Sequence, residues 1–201
     1  MAQLIDGLYL HDILLMGLGA LLFLVLLIGL IVKLAKDQPV NKGMQWFFVL
    51  PALMIAYPGT QRFVFSKGVI ELEKRTEQVL QYPQDSSARE ALESRLQEVE
   101  SRPLRTTNSK EVTARANLVQ GHMDEAAHQS SQILQKDPEN VTAQAISALV
   151  RLDRLKEQLA ISPADSVVQS AYAETVDSLA DHPRQWVRDQ VGEKRVVPDI
   201  H

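Results

Sequence analysis

The sequence predicts an all-α membrane protein, a two-helix transmembrane hairpin followed by a helical repeat or bundle domain. Three observations carry this expectation. Twenty consecutive uncharged residues occupy 13–32, a second uncharged run fills 43–61, and the remainder reads as capped helical segments with few β-branched or aromatic runs. The expected organisation is a membrane anchor over 1–66 with spans near 13–33 and 43–61, a helical hairpin or connector over 67–103, and a helical domain over 104–201 closed by a C-terminal capping helix.

The first run, ILLMGLGALLFLVLLIGLIV, reaches roughly 30 Å at about 1.5 Å per residue, the thickness of a bilayer's hydrocarbon core. No Lys or Arg precedes it and it is longer than the apolar region of a secretory signal, so it reads as a span and not a leader. The second run lies between Lys42 and Arg62, with Trp46, Phe47 and Phe48 near one end and Tyr57 near the other, as interfacial aromatic belts require. Pro51, and Pro58 with Gly59, are expected to kink or stop it. Neither run contains an ionisable residue, which argues against channel or pump activity; His11 and Asp12 stand at the mouth of the first span.

Before Gly59 the charged residues are Asp6, Asp12, Lys33, Lys36, Asp37 and Lys42, which sum to zero, so the net charge of −4 belongs to the later part. That mildly acidic, mixed surface lacks the clustered Lys and Arg of a nucleic-acid footprint. Lys33, Lys36 and Lys42 follow the first span directly and place the connecting loop in the cytoplasm by the positive-inside rule. The N-terminus and the C-terminal domain are then expected outside, which in a bacterium means an inner-membrane protein with a periplasmic domain. Arg62, Lys67, Lys74 and Arg75, which follow the second run, pull against the rule.

Within the domain, 69–81 reads as a helix ended by YPQDSS, and Ser87 with Glu90 has capping-box spacing before a helix that stops at Arg102-Pro103. Asn108 and Glu111 repeat that spacing, and the helix they open runs into Gly121, whose freedom at positive φ suits a tight turn. A helix over 124–136 follows, stopped by Asp137-Pro138; 141–159 is a long helix; Ser162-Pro163 opens another, ended by His182-Pro183. A short helix over 184–190 stops at Gly192, and Trp186 is expected to pack on the last helix pair.

Gly121, Asp124-Glu125-Ala126, Leu134, Asp137-Pro138 and Asn140 together resemble the tetratricopeptide repeat, a 34-residue helix pair whose small residues allow close packing. The resemblance covers 107–140. Lys110, Thr113 and Asn117 stand where that family places bulky side chains on its first helix. A shift of 34 residues matches Ala114 to Ala148, Leu118 to Leu152 and Ala126 to Ala160, but sets Gly121 on Leu155 and Pro138 on Tyr172, so one repeat is recognisable.

Chemistry is hard to find. There is no cysteine, which removes disulfides, thiolate metal sites and a thiol nucleophile. His11, His122, His128, His182 and His201 form no helical metal pair, Glu125 to His128 has no second copy, and no phosphate loop or nucleophile elbow occurs. The expected function is therefore non-catalytic and without cofactor or metal. It is a membrane-anchored adaptor or assembly factor that binds other proteins, membrane-bound or exported, and no nucleic acid, through a repeat groove near Asn117, Gln120, His122, Lys136, Gln144 and Arg151. Two alternatives stand beside it: a structural accessory subunit of a multi-subunit inner-membrane complex, and a cytochrome c maturation-type assembly factor. The layout of two spans and a periplasmic repeat domain resembles the latter family, although the loop DQPVNKG is much shorter than that family's. Oligomeric state is not legible.

Overall fold

The computed structural model describes residues 6–36, 44–180, 182 and 184–194, and among these it contains eight helices and no strand. The loop expected in the cytoplasm and the tail after Lys194 lie outside the described residues, as do Pro183 and His201.

α1 spans Leu10–Ala35 and is long and apolar enough to cross a membrane. Its start is fixed by Asp12, whose carboxylate accepts the Tyr9 N–H at 3.1 Å and so satisfies one of the orphan donors of a helix N-terminus. Most of its side chains are exposed, Leu10, Leu14 and Leu24 among them, as suits an apolar solvent.

α2 runs from Met44 to Gln81 without a break, and Pro51 and Pro58 lie inside it. The stop expected at Pro58-Gly59 does not occur, and the helix expected over 69–81 is the far end of α2. Each proline removes one backbone donor, but a helix tolerates that loss where its neighbours keep it wound. At about 1.5 Å per residue α2 is roughly 57 Å long, nearly twice a hydrocarbon core. α1 and α2 touch at Gly19, where a Cβ would come within 2.9 Å of the Met54 Cβ and 3.1 Å of the Pro51 carbonyl oxygen. Phe23 meets Phe48 edge to face at 5.6 Å, so contacts fall in reverse order along the two helices.

α3 (Ser86–Glu100) is capped by Asp85, not by Ser87 as the spacing implied. The Asp85 carboxylate accepts the N–H groups of Ser87 and Ala88 at 3.0 and 3.2 Å and the Ser87 hydroxyl at 2.7 Å; the hydroxyl bond foremost holds it below the usual carboxylate range. α4 is Thr107–Gln120, so Asn108 lies inside its first turn and Glu111 instead accepts the Asn140 amide at 2.7 Å. Gly121 takes φ +92° in the expected tight turn, and α5 (Met123–Leu134) follows. Asn140 caps α6 (Val141–Ile161) through the Ala143 N–H at 2.9 Å. Ser162 closes α6, and α7 (Ser166–Ala180) takes its cap from Asp165, which accepts from Val167 and Val168; this corrects the Ser162-Pro163 start. α8 (Gln185–Lys194) continues past Gly192.

Backbone contacts divide the chain into two units: Met1–Ile70 with Glu98–Thr106, and Glu71–Gln97 with Thr107–His201. The second unit is a stack in which α4 packs on α5 and α6, α5 on α6, α6 on α7, and α7 on α8. Ala114, Ala126 and Ala145, almost wholly buried, let the helices approach closely, while Ile146, Leu149 and Leu152 of α6 fill the centre.

Candidate functional site

α6 carries a polar stripe at helical spacing, Gln144, Ser147, Arg151, Arg154 and Gln158, on the side away from its buried Ile146, Leu149 and Leu152. α5 and α7 flank this stripe and turn it into the floor of an open groove. One end is lined by Leu134, Gln144, Ser147, Ala148, Arg151, Glu174, Thr175 and Ser178. The other is lined by Ala127, Ser147, Val150, Arg151, Arg154, Leu155 and Gln158, so Ser147 and Arg151 belong to both. Arg154 is held by Asp124 at 2.8 Å, whereas no ion pair engages Arg151 among the described residues.

Of the residues expected at the contact surface, the structure brings Gln144 and Arg151 together in this groove. Gln144 also donates to the Pro138 carbonyl at 2.7 Å. Lys136 is exposed just beyond α5. Gln120 belongs to a separate depression with Arg89, Glu90 and Glu93, and donates to the Arg89 carbonyl at 2.7 Å. His122 is half-buried, with Nδ1 3.2 Å from the Asn117 Oδ1 and Nε2 3.8 Å from the Glu93 carboxylate. Asn117 is fully buried and therefore offers nothing to a partner: placed on the inner face of α4, it serves the Gly121 turn by accepting the His122 N–H at 2.8 Å through its backbone carbonyl. Ser147, Arg154, Glu174 and Ser178 were missed, although the spacing of the α6 residues is visible once the helix is placed.

A second polar cluster lies between α2, α4 and α8. Arg115 stacks over Trp186 at 4.9 Å from the ring centre and approaches Glu77 at 3.9 Å. Burial pulls its pKa below the ordinary range, with Glu77 and Glu73 opposing and Arg184 adding to the fall. Beside it is a cavity of about 50 Å³ lined by Glu73, Thr76, Asn108, Glu111, Val112, Arg115, Thr142 and Arg184. That space suits water, and the pairing of two arginines with two glutamates gives it no net preference for an ion. Trp186 packs against the domain core as expected, but its indole N–H is buried without a partner. His182, in the link before α8, is lowered first by burial and then by Arg184. Among the described residues no group of three or more His, Asp or Glu comes together as a metal site would.

Comparison with family models, with curated proteins and with solved structures finds no match.

Proposed function

We propose that this chain is a membrane-tethered, non-catalytic adaptor whose helical domain holds a segment of another protein in the groove along α6. The observation that carries the reading is that groove, an open channel between α5, α6 and α7, floored by exposed polar side chains and flanked by Leu134, Ala148, Val150 and Leu155. Such a surface offers hydrogen bonds and apolar contacts to an extended or helical segment without a reactive group. The packing of α4 on both α5 and α6 is what a tetratricopeptide-like stack needs, in which each helix pair is covered by the next.

The anchor is a two-span hairpin with both ends on one side of the bilayer. Hydropathy alone favours only α1. What supports the second crossing is a clasp within the first unit: Asp6 accepts the N–H groups of Arg105 and Thr106 at 2.6 and 3.2 Å and the Thr106 hydroxyl at 2.6 Å. Gly7 donates to the Pro103 carbonyl at 3.0 Å, and the Tyr9 hydroxyl donates to that of Ser101 at 2.7 Å. These bonds join the segment before α1 directly to a loop beyond α2, so both lie on one side. If α1 crosses, α2 must cross back, and its apolar run over 44–59 is the part available to do so. With the basic loop cytoplasmic, the helical domain is periplasmic in a bacterial inner membrane. Tethering there raises its effective concentration near membrane and exported clients.

The test is affinity purification of the full chain in gentle detergent, with stoichiometry read by mass spectrometry for wild type and Arg151→Glu. Substoichiometric clients that are lost in the variant support the adaptor. A fixed set of membrane subunits at constant ratio, indifferent to Arg151→Glu, would instead make the chain an accessory subunit of a membrane complex.

A further inference from the structure

We infer that the clasp end of the first unit is a binding surface for anionic phospholipid headgroups, with Arg62 and Lys67 as its principal cations. The inference rests on the hairpin reading above. Contacts between Gly7 and Phe65, Gly19 and Met54, and Phe23 and Phe48 fix the register of the two helices. With the hydrocarbon edge at Ile13, where the uncharged run begins, that register puts the same edge on α2 near Gly59. Arg62 and Phe63 then lie roughly 5 Å beyond it at about 1.5 Å per residue, inside an interfacial layer about 5–8 Å deep.

Lys67 is rooted roughly 12 Å out. Its ammonium nevertheless folds back toward the bilayer, to 5.4 Å from the centre of the Phe63 ring, which returns the charge to the same layer. Phe63 and Val64 are 65% and 48% exposed, so an apolar shelf lies beneath the cation. Arg102 joins this level, donating to the backbone and side-chain oxygens of Gln61 at 3.1 Å, and Arg105 reaches the Leu8 carbonyl at 3.2 Å.

The acidic groups nearby do not cancel this collar: Asp6, which accepts from the backbone of Arg105 and Thr106, and Asp12, which accepts from that of Tyr9, keep their charges but are two against the four of Arg62, Lys67, Arg102 and Arg105. Glu98 and Glu100 sit further out: Gly68 faces Val99, which sets both glutamates level with the region around 67–69, roughly 12–15 Å beyond the hydrocarbon edge. Cations and exposed apolar side chains just beyond the hydrocarbon edge, with acids further out, match an anionic diacyl lipid, in which chains, phosphate and water follow in that order.

The experiment uses the full chain carrying Lys33→Gln, Lys36→Gln and Lys42→Gln, which silences the basic group that follows the first span. Protein from nanodiscs of equal phosphatidylglycerol and phosphatidylcholine is released into mild detergent, and native mass spectrometry counts the lipids retained. Phosphatidylglycerol should be retained over phosphatidylcholine, with occupancy falling about tenfold in Arg62→Gln/Lys67→Gln and surviving in the charge-conserving Arg62→Lys/Lys67→Arg. Equal retention of the two lipids, an unchanged count in the neutral variant, loss in the charge-conserving one, or displacement by inorganic phosphate overturns the inference. Labelling of single cysteines at Tyr9 and Ser66 in sealed vesicles tests the hairpin separately: labelling from opposite sides removes the hairpin itself, while labelling from one side without lipid preference removes only this inference.

Discussion

Asp6 should control how tightly the segment before α1 is fastened to the loop over 101–106. The residue is 8% exposed, and its carboxylate accepts three hydrogen bonds, two from backbone N–H groups and one from the Thr106 hydroxyl. A hydrogen bond to a charged acceptor contributes roughly 1.5–3 kcal/mol net, and three that share one carboxylate are not additive. Asp6→Ala should therefore cost the clasp about 3 kcal/mol, roughly a hundredfold in its opening equilibrium. Asp6→Asn keeps an acceptor for the two N–H groups and should cost about 1 kcal/mol, roughly fivefold. Trypsin reads the difference, because the Arg105–Thr106 bond lies inside the clasp, while Arg102 precedes proline and resists cleavage. With reclosing faster than cleavage, the rate follows the open population, and cleavage after exposed Lys136 serves as the internal reference. If the full chain in mild detergent is cut after Arg105 within about twofold of the wild-type rate in Asp6→Ala, the clasp does not hold the loop.

Other perturbations separate packing from chemistry. Gly19→Leu should part α1 from α2, because even a Cβ meets Met54 at 2.9 Å, whereas Gly17→Leu should be silent, since nothing lies within 4 Å there; thiol crosslinking between cysteines placed at Phe23 and Phe48 should disappear in the first and persist in the second. Leu149→Ala empties a site 1% exposed at the centre of α6 and should cost about 2–5 kcal/mol in denaturant unfolding, against less than about 0.5 kcal/mol for Ser147→Ala in the groove. For His182, burial and then Arg184 lower the pKa, so the folded state favours the neutral ring, whose Nδ1 accepts the Arg184 N–H at 3.2 Å. Its contribution is present above the unfolded pKa of about 6.5 and is lost as pH falls through the lower folded value. In a Trp46→Phe background, Trp186 fluorescence should report α8 loosening on acidification below about pH 6.5, and His182→Gln should flatten that response.

How much of this was legible depended on whether the signal was local. The apolar run of α1 and the Gly121 turn are each determined by a few adjacent residues, and each occurs as its chemistry requires; the Asn140 cap was equally local but was not singled out. The other caps were misplaced for a physical reason: at Asp85 and Asp165 a carboxylate one or more residues from the expected start accepts two N–H groups at once, and a serine at capping-box spacing does not compete with it. The break expected at Pro58 failed similarly, since a proline penalises one hydrogen bond of α2 while flanking turns hold the rest. Asn117 illustrates what a linear pattern omits: a polar side chain can lie on the inner face of a helix when a residue beyond the next turn answers it, here His122 with its Nδ1 3.2 Å from the Asn117 Oδ1, and residue type alone does not separate that from a surface contact. The α6 groove is the intermediate case. Its polar stripe is written at helical spacing, but that the stripe is a floor and not a convex ridge follows only from α5 and α7 standing on either side of it. The clasp is entirely non-local, joining Asp6 to residues about a hundred positions away. For the proposed hairpin its consequence is the most general: if both segments face water, their bonds to each other put them on one side of the membrane, whatever the hydropathy between them.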